Sequence, residues 1–77
     1  MDLKQTLTDI ARAIVDTPDA VVVEMNEDGD DVELELSVAE DDTGMVIGRH
    51  GKIAKAIRQI MKVAATKTGK RVTVEIK

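Results

Sequence analysis

The spacing of apolar residues changes its period along the 77-residue chain, and the order of these periods restricts the fold more than any other feature. Apolar residues recur every three or four positions over residues 3–15 and again over residues 45–64, as on one face of a helix. A pair of glycines interrupts the second stretch, which therefore predicts two helices. Residues 20–25, 32–38 and 71–76 are β-branched or alternate with polar residues, which is typical of strands. The sequence therefore predicts the order α-β-β-α-α-β.

Local signals predict where several of these elements begin and end. Asp2 is the expected N-cap of the first helix, with Gln5 as its capping-box partner, and Pro18 is expected to close that helix. Asp28-Gly29 predicts a tight hairpin between the first two strands. The candidate caps for the short second helix are Asp41, Asp42 and Thr43. We expect one face of the long third helix to carry Ile53, Ile57, Ile60 and Ala64.

The connection between the second and third strands contains two helices. Because such crossovers are right-handed, both helices are expected on one face of the sheet, with the first helix beside them. The opposite face then meets water, in agreement with its polar residues Glu33, Glu35, Thr73 and Glu75. We therefore expect one α+β domain over residues 1–77, with a three-stranded sheet and three helices on one face.

Composition excludes several classes of function. Without cysteine the chain has no disulfide, thiolate metal site or thiol nucleophile, and with one histidine and no P-loop motif we expect no catalysis. Without aromatic residues it cannot stack bases on Phe, Tyr or Trp, as many RNA-binding folds do. Asp28, Asp30 and Asp31 around Gly29 match a calcium loop only in part, so we expect a hairpin turn there, and we expect neither metal nor cofactor.

Hydropathy and charge bear on location and on ligand. The longest apolar run, residues 20–23, is far too short to span a bilayer, and the start of the chain lacks an apolar signal segment, so a cytoplasmic location is expected. Residues 1–48 carry a net charge of −12 and residues 49–77 a net charge of +8, although the whole chain is at −4. An acidic chain with so basic a second part favours an anionic ligand there.

The stretch VIGRHGKI, residues 46–53, lies where the two predicted helices of the crossover meet. Gly48 and Gly51 permit a tight turn or a close approach of backbone, and the loop precedes a helix N-terminus whose free amides attract anions. A plain corner between helices also accounts for two glycines at this spacing. The candidate phosphate site consists of Gly48, Arg49, His50, Gly51, Lys52 and Lys55.

The same stretch resembles the KH-domain signature I-G-x-x-G-x-x-I. Ile47 and the two glycines match it, whereas Ala54 stands at the last position and Ile53 comes one residue early. The predicted order of elements is that of type II KH domains. Over the whole chain, the sequence is similar to the small bacterial KhpA (YlqC-like) family of KH proteins.

This resemblance implies binding of single-stranded RNA, with the glycine loop clamping the backbone of about four nucleotides. It implies an RNA chaperone or post-transcriptional regulator that pairs with itself or with a second KH protein, for which the face around Met61 and Ala65 is a candidate. His50 is either a solvated loop residue or a pH-sensitive one. Candidates for an apolar groove beside the loop, or else for plain core, are Val46, Ile47, Ile53 and Ala54, with residues 36–38. The alternative function is a protein-interaction adaptor that binds no nucleic acid.

Overall fold

The computed structural model describes residues 2–77, apart from the side chain of Arg49. Its helices are α1 (Leu3–Ile14), α2 (Glu40–Ile47) and α3 (Lys52–Lys67), and its strands are β1 (Val22–Asp28), β2 (Asp31–Ser37) and β3 (Arg71–Ile76). Two short 3-10 segments, Pro18–Ala20 and Arg49–Gly51, precede β1 and α3. The predicted order α-β-β-α-α-β is confirmed.

The sheet has the order β1-β2-β3, with an antiparallel hairpin followed by a parallel pair. Leu34 of β2 pairs with Met25 on one side and with Val74 on the other, so these residues share one face of the sheet. The residues of this face that are buried are Val23, Val32, Leu34, Leu36 and Val74. The polar residues predicted to face water lie on the opposite face, where Glu33, Thr73 and Glu75 are exposed.

The helices cover the buried face of this α+β fold, with α1 and α3 against the strands and α2 against α3. The core side chains of α3 are Ala54, Ile57, Met61, Ala64 and Ala65. Ile60, predicted on this face, is 49% exposed, because Met61 one position later takes the place in the core. The interpretation of Met61 and Ala65 as a pairing surface was wrong, since both are buried in the chain's own core.

Capping at α1 agrees only in part with the prediction. The Asp2 carboxylate accepts a hydrogen bond from the Gln5 backbone N–H at 3.1 Å, as expected of an N-cap. The Gln5 side chain donates to Asp9 at 2.8 Å, one helical turn further along. α1 ends at Ile14, and Pro18 begins the 3-10 turn that leads to β1.

Asp42 does not cap α2, which begins at Glu40 after Ala39. It lies within the helix, is 2% exposed, and its carboxylate oxygens accept from the backbone N–H groups of Asp16 at 3.3 Å and Thr17 at 3.1 Å. Asp42 therefore ties α2 to the connection between α1 and β1. Among residues 2–77, no helix is long and apolar enough to cross a membrane.

Candidate nucleic-acid interface

Gly48 is the C-cap of α2 and lies close to the carbonyl of Gly44 in the last turn of that helix. Its N–H donates to the carbonyl of Gly44 at 2.8 Å, and its φ of −71° and ψ of −176° are open to any residue. A Cβ at Gly48 would lie 2.3 Å from that carbonyl oxygen, well inside contact distance. Gly48 is therefore required because there is no space for a side chain, and not because of its dihedral angles.

Gly51 is required for a different reason. Its φ of 66° lies in the left-handed region, whereas a Cβ there would meet no atom within 4 Å. His50, with φ 65° and ψ 15°, adopts the same conformation, which histidine, asparagine and aspartate enter more readily than most residues. The two left-handed residues reverse the chain, and α3 begins at the next residue, Lys52.

The N-terminus of α3 begins after Gly51, which is its N-cap. Within the part of the chain that the structure describes, no side chain caps the first amides, and the first turn contains no acidic residue. α1 is instead capped by Asp2, and α2 has three acidic residues in its first turn. Lys52 and Lys55 at the start of α3 oppose the helix dipole, an arrangement that a bound anion would relieve.

The structure brings the predicted phosphate site together at one end of α3. Gly48, His50 and Gly51 form the turn, and His50, Lys52 and Lys55 are exposed around it. Arg49 lies in the turn, and the role predicted for its side chain concerns atoms outside the described part.

The apolar groove candidates divide by burial. Val46 is 1% exposed and Ala54 is 5% exposed, so both belong to the core, as does Leu36. Ile47 is 43% exposed and Ile53 is half-buried, so these two flank the turn with accessible surface. Met45 on α2 is 38% exposed, and the sequence analysis placed it on the helix without assigning it to the site.

Ion pairs divide the basic residues into two groups. Lys70 pairs with Glu27, Arg71 pairs with Asp31 at 2.7 Å, and Lys77 pairs with Glu35 at 3.2 Å. The hydrogen bonds to Glu27 and Glu35 raise the pKa values of Lys70 and Lys77, respectively, above their ordinary value. Among the described side chains, which do not include that of Arg49, the ion pairs involve neither Lys52 nor Lys55.

The exposed face of the sheet is acidic. The carboxylates of Glu33, Glu35 and Glu75 offer oxygens within 4.8 Å of one another, and Glu24 lies opposite Glu35 in the register. This face therefore carries clustered negative charge, which disfavours a polyanionic ligand there.

The element order, with a G-x-x-G turn between the two crossover helices, defines a KH domain of type II. A family model described as "KhpA/KhpB, KH domain" matches residues 4–76, and the chain belongs to this family, which confirms the resemblance. The RNA-binding protein KhpA of Clostridium acetobutylicum is 51% identical over 74 residues, 96% of this chain and 99% of the relative. The RNA-binding protein KhpA of Halalkalibacterium halodurans is 46% identical, over 96% and 97% of the two chains.

Two solved structures of Era share the fold. Aquifex aeolicus Era bound to GDP.AlF4− aligns with a TM-score of 0.62 and 22% identity, over 99% of this chain and 31% of Era. Era in complex with MgGDPNP and nucleotides 1506–1542 of 16S ribosomal RNA aligns with a TM-score of 0.55 and 23% identity, over 99% and 30%. The chain thus matches about a third of Era.

Proposed function

We propose that the chain, acting as one KH domain over residues 1–77, binds single-stranded RNA by holding its phosphates at the turn before α3. The uncapped, lysine-bearing N-terminus of α3 is the observation that carries this proposal. The curated relatives are named RNA-binding proteins, and one Era structure contains 16S ribosomal RNA. We further propose that the protein acts in the cytoplasm, as an RNA chaperone or as a post-transcriptional regulator.

The first backbone amides of α3 donate hydrogen bonds to phosphate oxygens, while Lys52 and Lys55 supply charge. Gly51 adds no side chain where a Cβ would meet no atom within 4 Å, so this position of the turn leaves space for a close approach of the RNA backbone. Bases rest on the accessible apolar surface of Ile47 and Ile53. Aliphatic contact reads no base edge, so we expect little sequence selectivity and strong dependence on salt.

Pairing of two KH domains belongs to the same proposal. Ile60 and Val63 lie three positions apart on α3 and are 49% and 59% exposed, an apolar pair that packing within the chain leaves uncovered. A second copy or a second KH protein would bury it, and two linked domains would bind one RNA with higher avidity. The wrongly assigned Met61 lies between these two residues in sequence but on the buried side.

The test is a titration of fluorescent single-stranded RNA with three folded proteins at low salt. The first is wild type, the second carries Arg49→Asp and His50→Asp, and the third carries Arg49→Asn and His50→Asn. Asp and Asn are nearly isosteric and both accept the left-handed φ of residue 50. The two variants therefore differ only in placing negative charge where phosphates are expected.

We expect the Asp variant to bind at least tenfold more weakly than the Asn variant, because like charges would face each other at the turn. Equal binding by the two variants would place the RNA elsewhere on the domain. If wild type binds no RNA even at low salt, the exposed pair Ile60 and Val63 makes protein interaction the better account.

A further inference from the structure

The first strand, β1, forms one edge of the sheet and is exposed along nearly all of its length. Of its seven residues only Val23 is buried, whereas three are buried in β2 at the centre of the sheet. β1 pairs with β2 without interruption from Val22 to Asp28, so it contains no bulge, and it contains no proline. Bulges and prolines are devices by which proteins prevent another strand from pairing with an edge, so β1 is open to such pairing.

The hydrogen bonds on the far side of β2 show which backbone groups of β1 are free. The Lys77 N–H donates to the Leu36 carbonyl at 2.9 Å, so the even-numbered residues of β2 point towards β3 and the odd-numbered ones towards β1. These odd-numbered residues pair with the even-numbered residues of β1. The N–H and C=O groups of the remaining β1 residues therefore point away from the sheet, and these residues are Val23, Met25 and Glu27. The backbone hydrogen bonds outside the helices and strands of residues 2–77 include none of these groups.

On the exposed face of the sheet, β1 carries acidic residues that lie opposite further acidic residues. Glu24 lies opposite Glu35, and Asp28 lies opposite Asp31. Like charges in directly opposed positions destabilise a sheet. Glu35 and Asp31 each pair with a cation at an end of β3, but the ion pairs of the described residues include neither Glu24 nor Asp28. Two acidic side chains, four positions apart on the edge strand, therefore favour a basic neighbour.

A cavity of about 160 Å³ lies on the other side of β1, which the helices cover. Leu3 at the start of α1, Met25 of β1 and Val32 of β2 form its apolar lining. Leu3 and Val32 are buried, whereas Met25 is 41% exposed. A strand laid along β1 would point every second side chain towards this side of the sheet. The cavity therefore offers space for an apolar side chain of such a strand.

A second copy of this chain matches the edge poorly. Pairing of β1 with another β1 would bring its acidic residues together. β3, the other edge strand, has Glu75 four positions after Arg71. If Arg71 lay opposite one of the two acidic residues of β1, Glu75 would therefore lie opposite the other. The charges thus favour a basic segment of another protein.

We propose that β1 binds an extended, basic segment of another protein as a fourth strand of the sheet. Lysine or arginine lies opposite Glu24 and Asp28, and an apolar residue lies opposite Met25, beside the cavity. The backbone of the segment exchanges hydrogen bonds with Met25 and Glu27. This surface lies at the sheet edge opposite to β3 and does not depend on the RNA binding proposed above.

The probe for the test is a fluorescent peptide with the core Lys-Val-Thr-Val-Lys between Gly-Ser ends. This pattern is the same in both directions, so it meets β1 correctly in either orientation. One control peptide is N-methylated at both valines, which removes the N–H groups that would bond to Met25 and Glu27 and keeps the charge. A second control peptide has the same composition with its two lysines adjacent. Binding is followed by fluorescence anisotropy at about 50 and about 200 mM salt.

Two pairs of protein variants separate backbone pairing from charge. Met25→Pro removes an N–H that points away from the sheet, so no bond to β2 is lost, and Met25→Ala is its matched control because it keeps that N–H. Glu24→Gln/Asp28→Asn removes the two acidic charges of the edge. Glu40→Gln/Asp41→Asn removes the same charge from exposed positions on α2 and is the second control. Circular dichroism verifies the fold of each variant, and the N-methylated peptide tests backbone pairing without any change in the protein.

We expect wild type to bind the probe at least tenfold more tightly than either control peptide. Met25→Pro should bind it at least tenfold more weakly than Met25→Ala. Glu24→Gln/Asp28→Asn should weaken binding about fivefold at about 50 mM salt and less at about 200 mM, with the α2 control within about twofold of wild type.

Hydrogen exchange gives a second readout, because the amides of β1 alternate. In the free protein the N–H groups of Glu24 and Asn26 bond to β2 and are protected, whereas those of Met25 and Glu27 exchange fast. We expect a saturating amount of the probe to slow exchange at Met25 and Glu27 at least about tenfold.

Equal binding of the N-methylated and unmodified peptides would overturn strand addition, because charge alone would then hold the peptide. Equal binding by Met25→Pro and Met25→Ala would overturn it as well, as would failure of wild type to bind the probe. A dimer of wild type that Met25→Pro dissociates would assign the edge to a second copy and contradict the proposal. The proposed function is tested separately, since Met25→Pro should bind single-stranded RNA within about twofold of wild type whether or not the peptide binds.

Discussion

The two glycines of the turn are required for different physical reasons, and substitutions can separate them. At Gly48 any added Cβ meets the Gly44 carbonyl oxygen at 2.3 Å, so alanine and asparagine both clash. Relief requires the end of α2 to shift, and overpacking of this kind costs about 1–3 kcal/mol. At Gly51 there is space, and the cost arises from φ 66°, about 1–2 kcal/mol for alanine and less for asparagine.

The measurement is urea denaturation followed by far-ultraviolet circular dichroism, since the chain has no Trp or Tyr to report by fluorescence. We expect Gly51→Asn to recover much of the stability that Gly51→Ala loses, whereas Gly48→Asn stays at least as unstable as Gly48→Ala. At the thermal midpoint each kcal/mol corresponds to a shift of about 4–8 °C for a domain of this size. Full stability of Gly48→Ala, or no recovery by Gly51→Asn, would refute the reasoning.

Other parts of the structure support further predictions. Asp42→Ala is expected to lower the free energy of unfolding by about 1–3 kcal/mol, because two backbone N–H groups lose their acceptor. Its control is Asp41→Ala, at an exposed position, which should change the free energy of unfolding by less than about 0.5 kcal/mol in the same denaturation experiment. Glu75→Lys is expected to raise the free energy of unfolding by about 0.5–1 kcal/mol, because the lysine attracts Glu35 on the neighbouring strand, which Glu75 repels. A loss of stability in this variant would contradict the prediction. Ile60→Lys/Val63→Lys should shift the protein to monomer in sedimentation analysis while leaving its circular dichroism unchanged; an unchanged oligomeric state would contradict the pairing surface.

Local sequence signals predicted the order of the elements and the glycine turn, since apolar period and glycine position depend on residues close together. These signals did not predict features that depend on residues far apart in the sequence. Asp42 has the side chain of a helix cap, and only its hydrogen bonds to the connection after α1, about 25 residues away in sequence, show its role. Ile60 and Met61 both fit the helical spacing after Ile57, and only the neighbouring elements decide which of them is buried.

The two glycines of the candidate site also show what the sequence predicts and what only the structure reveals. The motif predicts that glycine is needed at positions 48 and 51. It does not show whether each glycine is needed for a positive φ or for a close contact. The structure assigns the close contact to Gly48 and the positive φ to Gly51.

The most direct test of the central claim is a nuclear magnetic resonance titration of ¹⁵N-labelled wild type with single-stranded RNA. If the amides at the start of α3 hold phosphate, the largest chemical-shift changes should fall on residues 48–55. Changes confined to the acidic strand residues 33–35 and 75, or to α1, would contradict the claim that α3 begins with a phosphate site.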